Sequence, residues 1–349
     1  MDVKVLNTSA NEQKLWKQLA RLKEISPSLA NCVDLERIKR VATDIHFYAE
    51  NNSDFESQKE GGRGDVYRLA QRIPVVRAIG ILNLFRLVAS EENLENLLPN
   101  DLILDALGGD GVLVRALKQL LPESSIPNIL TSDLSEEMIR GAVEYGIPAL
   151  WQPAQQLLLK DRSMDGVILA YGTHHIPRAQ RLIVCKEGFR VLKYGGRFVL
   201  HDFEEGSPVA RWFKEIVDRY SYTGHDVPHF TREEIASYLI EAEFRSVNVH
   251  YVYDPFIISG KSEPELRKNL SRYLMEMYGL YRLKEQMNEE NALNFIYERA
   301  KEIFQYDYEK VGLDKDFGVS KIAVYEQSGK LKIEMPRLAI VGVGIKLST

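Results

Sequence analysis

The chain has 349 residues, 45% of them apolar and 27% charged, with a net charge of −5, the composition of an ordinary globular protein long enough for one elaborated domain or two. Acidic and basic residues are interspersed, which excludes the basic footprint that nucleic acid or an anionic membrane surface would demand. Two cysteines, Cys32 and Cys185, with no CxxC pair and no Cys/His cluster, exclude a disulfide framework and a structural zinc site, so no metal is expected.

The opening stretch MDVKVLNTSANEQKLWKQ lacks the apolar core of a signal peptide, and no apolar run approaches membrane-spanning length, so a cytoplasmic location is expected. From about Asn11 to Leu98 the pattern is helical. Leu15, Leu19, Leu22 and Ile25 recur at three- to four-residue spacing, as do Val75, Ile79, Leu82 and Phe85. Between them HFYAENNSDFESQKEGGRGDVYR is polar and glycine-bearing and predicts a loop.

After Pro99-Asn100, strands and helices alternate. Ile103–Leu107 predicts a strand and Val112–Leu121 a helix; NILTSD is a second strand, followed by the helix LSEEMIRGAVEY. Pro148–Trp151 and MDGVILAY predict the third and fourth strands. RAQRLIVCKEGFRVL is a helix closed by the turn KYGG, and RFVLHDF is the fifth strand. Continuous apolar strands separated by amphipathic helices imply a parallel sheet covered on both faces.

Beyond Asp202 two helices, SPVARWFKEIVDRY and TREEIASYLIEAEF, precede the alternating strand RSVNVHYVY. Residues 262–311 are helical, with Tyr273, Met277, Leu280 and Tyr281 on overlapping faces. KIAVYEQSGKLKIEM reads as a hairpin around Ser328-Gly329, and RLAIVGVGIK as a final strand.

The chemistry concentrates where the first strand meets its helix, in LILDALGGDGVLV. Glycines there let a ligand approach main-chain N–H groups at a helix N-terminus. Asp133 ends the second strand 28 positions after Asp105, where a carboxylate can accept both hydroxyls of a ribose. A nicotinamide cofactor would prefer G-x-G-x-x-G, which this loop does not supply. His174 and His175 follow strand four, and His201 and Asp202 end strand five, at the carboxyl edge where open α/β sheets bind ligands. His225 and His229 lie in YTGHDVPHFT, a loop able to reach that edge.

From Asp101 to Glu204 the chain resembles class I S-adenosylmethionine-dependent methyltransferases, in particular their small-molecule, UbiE-like branch. LILDALGGDG is similar to the family's first block, TSDLSEEMI to its second, and DGVILAYGTHHIP with EGFRVLKYGGRFVLHDF to strand four, the following helix and strand five. The resemblance implies an α/β Rossmann-like fold: a doubly wound sheet of seven strands, the last antiparallel, with helical caps from both termini. Residues 1–98 would then be an N-terminal helical cap, 99–255 the cofactor-binding core, 256–336 a helical lid insertion with its hairpin, and 337–349 the strand that completes the sheet.

The cofactor implied is S-adenosyl-L-methionine. Gly108, Gly109 and Gly111 would pass beneath its methionine part, Asp105 would order the loop or meet the ammonium group, and Asp133 would hold the ribose. The resemblance adds Leu107, Leu134, Met138, Ala170 and Tyr171 to the cofactor-binding set. Two positions depart from the family pattern. Leu107 stands where a first glycine is usual, and Gln152-Pro153-Ala154 replaces the acidic residue before a small one at the adenine, leaving the Gln152 side chain or the Ala154 N–H to read its edge.

The implied reaction is methyl transfer to an oxygen or carbon of a small, partly apolar metabolite, such as an intermediate of a secondary-metabolite or lipid-quinone pathway. His174, His201 and His229 are the candidate bases, since imidazole titrates near neutrality. Tyr48, Arg63 and Tyr67 are candidate contacts to the cofactor carboxylate. Two other readings stay open: an enzyme of this fold that binds the cofactor but catalyses cyclisation or rearrangement, and a non-catalytic partner protein. The expected partners are a small-molecule substrate and, as an open alternative, a second copy of the chain in a homodimer.

Overall fold

A computed structural model of the protein describes residues 9–49 and 53–348; residues 1–8 of the opening stretch and residues 50–52 of the polar loop lie outside it. Among the described residues, ten strands form two sheets. In chain order they are β1 (Leu102–Asp105), β2 (Asn128–Asp133), β3 (Ala149–Trp151), β4 (Met164–Leu169), β5 (Leu192–Phe203), β6 (Arg245–Tyr253), β7 (Phe256–Gly260), β8 (Ala323–Gln327), β9 (Lys330–Met335) and β10 (Leu338–Ile345). The large sheet has the order β3-β2-β1-β4-β5-β10-β6, and the small one β7-β9-β8. β1 to β5 pair in parallel, and β10 lies antiparallel between β5 and β6. This is the doubly wound, seven-stranded arrangement expected of the sequence.

The central strands are apolar throughout because helices cover both faces. Ile103, Leu104, Leu130, Val167, Ile168, Val199 and Val341 are all buried. Strand order reverses at β1, whose neighbours are β2 and β4, so the crevice for a ligand opens at the carboxyl ends of these strands. β5 is longer than RFVLHDF: the KYGG stretch is drawn into the strand, with Gly195 at φ +84°.

Helices Ala10–Ile25, Arg37–Ala49, Gly64–Ala70 and Ala78–Val88 precede the sheet. Residues 53–63, which lead into the third of them, fold over the crevice. There Ser135 Oγ donates to the Phe55 carbonyl (2.8 Å) and Gly64 N–H to the Glu56 carbonyl (2.8 Å). Among the described residues, no helix is long and apolar enough to cross a membrane.

Residues 254–337 leave and rejoin the large sheet at one point. Asp254 N–H donates to the Arg337 carbonyl (3.0 Å), Arg337 Nε returns a bond to the Asp254 carbonyl (2.9 Å), and Arg337 Nη2 meets Asp254 Oδ2 at 2.5 Å. Helix Glu263–Tyr278 then packs on helix Gly64–Ala70, helix Glu289–Ile303 and the small sheet. The sequence stripe through Tyr281 is cut short. Gly279 adopts φ +64° and ends the helix after Tyr278, so Leu280 and Tyr281 lie beyond it. β7 went unforeseen; it pairs with β9 about eighty positions downstream.

The Asp254–Arg337 pair is buried on both sides. Removing one partner of such a pair leaves an uncompensated buried charge, at a cost of about 3–5 kcal/mol. Arg337→Met should therefore lower the unfolding free energy measured in urea by about that amount, and the midpoint with it, and adding Asp254→Asn should recover part of it. Equal midpoints for Arg337→Met and the unsubstituted protein would show that the clip does not hold the insertion.

Candidate active site

The glycine loop joins β1 to helix Val112–Leu120. Gly108 N–H donates to the Ser132 carbonyl (2.8 Å) and Gly109 N–H to Asp133 Oδ2 (3.0 Å). Two of the glycines have different reasons. A Cβ on Gly108 would lie 2.6 Å from Asp105 Oδ2 and 2.7 Å from Thr131 Cγ2, so this residue is fixed by the packing under the loop. Gly109 has φ +55°, and a Cβ there would meet only Met138 Sδ, at 3.7 Å; it faces an open cleft.

That cleft is lined by Leu107, Gly108, Gly109, Asp110, Asp133, Leu134, Ser135 and Met138 at one end. Tyr171, Gly172, His175 and Ile176 line the other, and Phe55 and Tyr67 form the roof. Helix Glu136–Glu144 is capped by Ser135, whose Oγ accepts from Met138 N–H. Asp133 is thereby spared that task. Its Oδ1 accepts from Ser135 N–H (2.8 Å) and its Oδ2 from Gly109 N–H (3.0 Å), and a carboxylate with one bond on each oxygen still has lone pairs for two hydroxyls. Burial pushes its pKa up to about 6, against the pull of the two N–H donors. A backbone cradle facing an acceptor of this kind at a helix N-terminus fits the nucleoside and methionine parts of S-adenosylmethionine.

Other sequence candidates lie outside the cleft. Asp105 is beneath the loop, with neither carboxylate oxygen hydrogen-bonded; burial, and next the Asp133 charge, raise its pKa to about 8. Gln152, Pro153 and Ala154 are buried and do not line the cleft. Gln152 Oε1 accepts from Leu158 N–H (2.7 Å), so its carbonyl is engaged within the loop after β3. Ala170 is buried at the end of β4. Tyr171, by contrast, adopts φ +62°, a backbone conformation costly for a residue with a side chain, and its ring stands between two cavities.

The second cavity shares Phe55, Tyr67, Tyr171 and His175 with the cleft and continues inward. Arg63, Arg77, His174, His201, Asp202, Phe203, Phe213, Met277, Tyr278 and Arg337 complete it. Arg63 is held by Asp54 (3.1 Å) and donates to the Met277 carbonyl (2.9 Å). Burial would raise the Asp54 pKa, but Arg63 and then His175 outweigh it and bring it to about 2. Arg77 is buried with its guanidinium 3.6 Å over the Tyr171 ring, and its Nε and Nη1 have no hydrogen-bond partner. His201 Nε2 lies 3.6 Å from Asp254 Oδ2, which also accepts from Arg337; Tyr171 donates to Asp254 Oδ1 (3.2 Å).

The three candidate bases are divided. His201 sits beside Asp254, whereas His174 and His229 both turn Nδ1 to Asp202, at 3.0 and 3.4 Å. Tyr67 lines both cavities, Arg63 only the inner one, and Tyr48 neither. Phe55, Asp54, Arg77 and Asp254 escaped the sequence reading; the signal available for the first two was a carboxylate-aromatic pair in an otherwise polar loop.

Residues 103–196 match the family model described as a methyltransferase domain. The ubiquinone/menaquinone biosynthesis C-methyltransferase of Rickettsia felis is 26% identical over 201 residues, covering 53% of this chain and 77% of that protein. The corresponding protein of Caulobacter sp. strain K31 is 30% identical over 137 residues, covering 36% of this chain and 52% of that protein. The solved YcgJ protein of Bacillus subtilis aligns over 77% of this chain and 99% of its own at 18% identity, with a TM-score of 0.46. The family match over residues 103–196 and the two curated relatives, together with the strand order and the glycine loop, support a class I S-adenosylmethionine-dependent methyltransferase domain. S-adenosylmethionine is its cofactor and a small molecule its substrate.

Two outcomes follow for the cleft. Gly108→Ala should destabilise the fold through its close contacts, whereas Gly109→Val, strained at φ +55° by about 1–3 kcal/mol, should still fold but lose cofactor binding; normal binding by Gly109→Val would reduce the loop to a turn. Asp133→Asn should weaken S-adenosylmethionine binding by roughly 1–3 kcal/mol. Because the ionised carboxylate is the acceptor, affinity should be steady above pH 6 and fall below it, and the Asn variant should lose that dependence in titration calorimetry.

Proposed function

We propose that the protein transfers the methyl group of S-adenosylmethionine to an oxygen or carbon of a small, partly apolar acceptor held in the inner cavity. The observation that carries this reading is the shared wall of the two cavities at Tyr171 and His175. S-adenosylmethionine, when bound, supplies an electrophilic methyl group on a sulfonium. The chain's part is to align the acceptor in line with that group and to take up a proton where the acceptor must lose one.

Phe213, Met277 and Tyr278 offer the acceptor an apolar wall, and the unpartnered nitrogens of Arg77 offer an acidic or phenolic oxygen a charged donor. His201, buried against Asp254, is the base: its imidazole faces the cavity and the carboxylate stabilises the imidazolium formed. Residues 256–336 act as a lid through Met277 and Tyr278. The relatives named for C-methylation in quinone biosynthesis support a ring acceptor of the phenol or quinol type; a secondary-metabolite pathway is the setting that suits such an acceptor.

The test is incubation of the protein and S-adenosylmethionine with a panel of phenolic acids and quinols, followed by mass spectrometry for S-adenosylhomocysteine and a product heavier by one methylene. His201→Gln should lower kcat by about 10²–10⁴ with unchanged cofactor affinity. Tyr278→Ala should shift substrate range while cofactor affinity stays within about threefold, under half of the ~1.4 kcal/mol that a tenfold change represents. Rearranged products without S-adenosylhomocysteine would overturn methyl transfer.

A further inference from the structure

Four histidines from two loops converge beside the inner cavity, which His174 and His175 line. His174 and His175 end the turn after β4, and His225 and His229 come from the loop before helix Arg232–Glu241. Their ring centroids are 4.5 Å (His174–His175), 5.0 Å (His174–His225), 4.7 Å (His174–His229) and 5.2 Å (His175–His225) apart. One ring nitrogen from each of His174, His175 and His225 can be chosen so that all three lie within 4.8 Å of one another.

The nitrogens are prepared in a particular way. Asp202 faces Nδ1 of His174 and Nδ1 of His229, which fixes the proton on that side of each ring and leaves the Nε2 lone pair free. His174 Nε2, His229 Nε2 and both ring nitrogens of His225 are buried with no hydrogen-bond partner. Buried polar atoms without partners are costly and require an explanation. Metal-binding histidines have this arrangement: the outer nitrogen donates to a carboxylate and the inner one is left for the ion.

We propose that His174, His175 and His225 bind a divalent first-row transition ion of the zinc class, with Asp202 as the outer carboxylate that orients His174. Zn–N bonds of about 2.0–2.1 Å place tetrahedral nitrogens roughly 3.3 Å apart, so rotation of the rings by an ångström or so closes the site. All-imidazole ligands suit zinc, iron, nickel or copper, whereas calcium and magnesium take oxygen. Burial, against the pull of Asp202, holds His174 neutral with a pKa of about 4; burial and then His174 hold His175 at about 3, and burial and then His175 hold His225 at about 3. Neutral imidazole is the form that ligates. Three protein ligands leave a fourth tetrahedral position for water or another small ligand. An acceptor oxygen would fill it on the methyl-transfer reading, but the ion's binding does not rest on that reading.

The test uses the full chain, stripped with a chelator and titrated with Co²⁺. One Co²⁺ per chain, with visible d–d bands displaced by Zn²⁺, is expected. His175→Gln and His225→Gln should weaken binding by about 100-fold or more, while His250→Gln, at a site remote from the cluster, should leave it unchanged. Absence of the bands, or bands that survive both substitutions, would overturn the proposal. Should a variant fail to fold by circular dichroism, X-ray absorption of the Zn²⁺-loaded unsubstituted protein decides instead. About three imidazole neighbours support the site, and fewer than two refute it. Cofactor binding, measured separately, reports on the methyltransferase reading and not on the ion.

Discussion

The carboxylate of Asp202 is the point on which the inner cavity depends. It is fully enclosed at the end of β5, where an ionised group costs several kcal/mol unless it is paired and hydrogen-bonded. It accepts from His174 N–H (2.7 Å), Phe203 N–H (2.7 Å) and the Nδ1 atoms of His174 and His229. Burial would raise its pKa, but His174 and then His229 hold it well below the usual range. Arg181 braces the same two loops from beneath, donating to the carbonyls of His174 (3.2 Å), Ile176 (3.1 Å) and Pro228 (2.8 Å). One anion and one cation thus fix the relative positions of segments fifty residues apart in the chain.

The antiparallel β10 has a similar organising effect at the other side. Because β10 returns beside β6, residues 254–337 begin and end at the Asp254–Arg337 clip. Loop-closure entropy grows slowly with length, so so long an excursion adds little cost. What orders it is burial of the inner face of helix Glu263–Tyr278, with Leu266, Leu270 and Leu274 all enclosed. Arg63 fastens its far end by donating to the Met277 carbonyl. The cavity therefore has a floor from the sheet, a roof from the N-terminal loop and a wall from the insertion.

The sheet was legible in the sequence where local pattern sufficed. NILTSD and RSVNVHYVY are β2 and β6 residue for residue, because uninterrupted or alternating apolar runs bounded by polar residues leave little choice of register. β7 was not legible: FIISG is short, and what makes it a strand is pairing with a segment far along the chain. The cleft was half legible. Gly109 and Asp133 stand out by type and spacing, but the roof at Phe55 depends on Gly64, where a Cβ would lie 2.0 Å from the Phe55 carbonyl oxygen. That His225 and His229 could reach the edge carrying His174 and His175 was legible, but a ligand set was not, since two pairs separated by about fifty positions carry no metal-ligand spacing.

The electrostatics of the inner cavity follow from how its charges are shared out. Asp54 is matched by Arg63 and Asp254 by Arg337, while Asp202 is held by N–H donors from imidazole and backbone. Arg77 alone among these groups has no carboxylate at bonding distance; the Tyr171 face and the fields of Tyr67, Tyr273 and Asp254 surround it instead. A guanidinium over an aromatic face gains about 2 kcal/mol when desolvated, less than the several kcal/mol that burying an ion costs. The balance left over is what a bound oxygen anion would relieve. An acceptor with such an oxygen at Arg77 and its apolar body against Phe213 and Tyr278 is oriented by two different forces, and its remaining edge meets the wall of Tyr171 and His175 that borders the cofactor cleft.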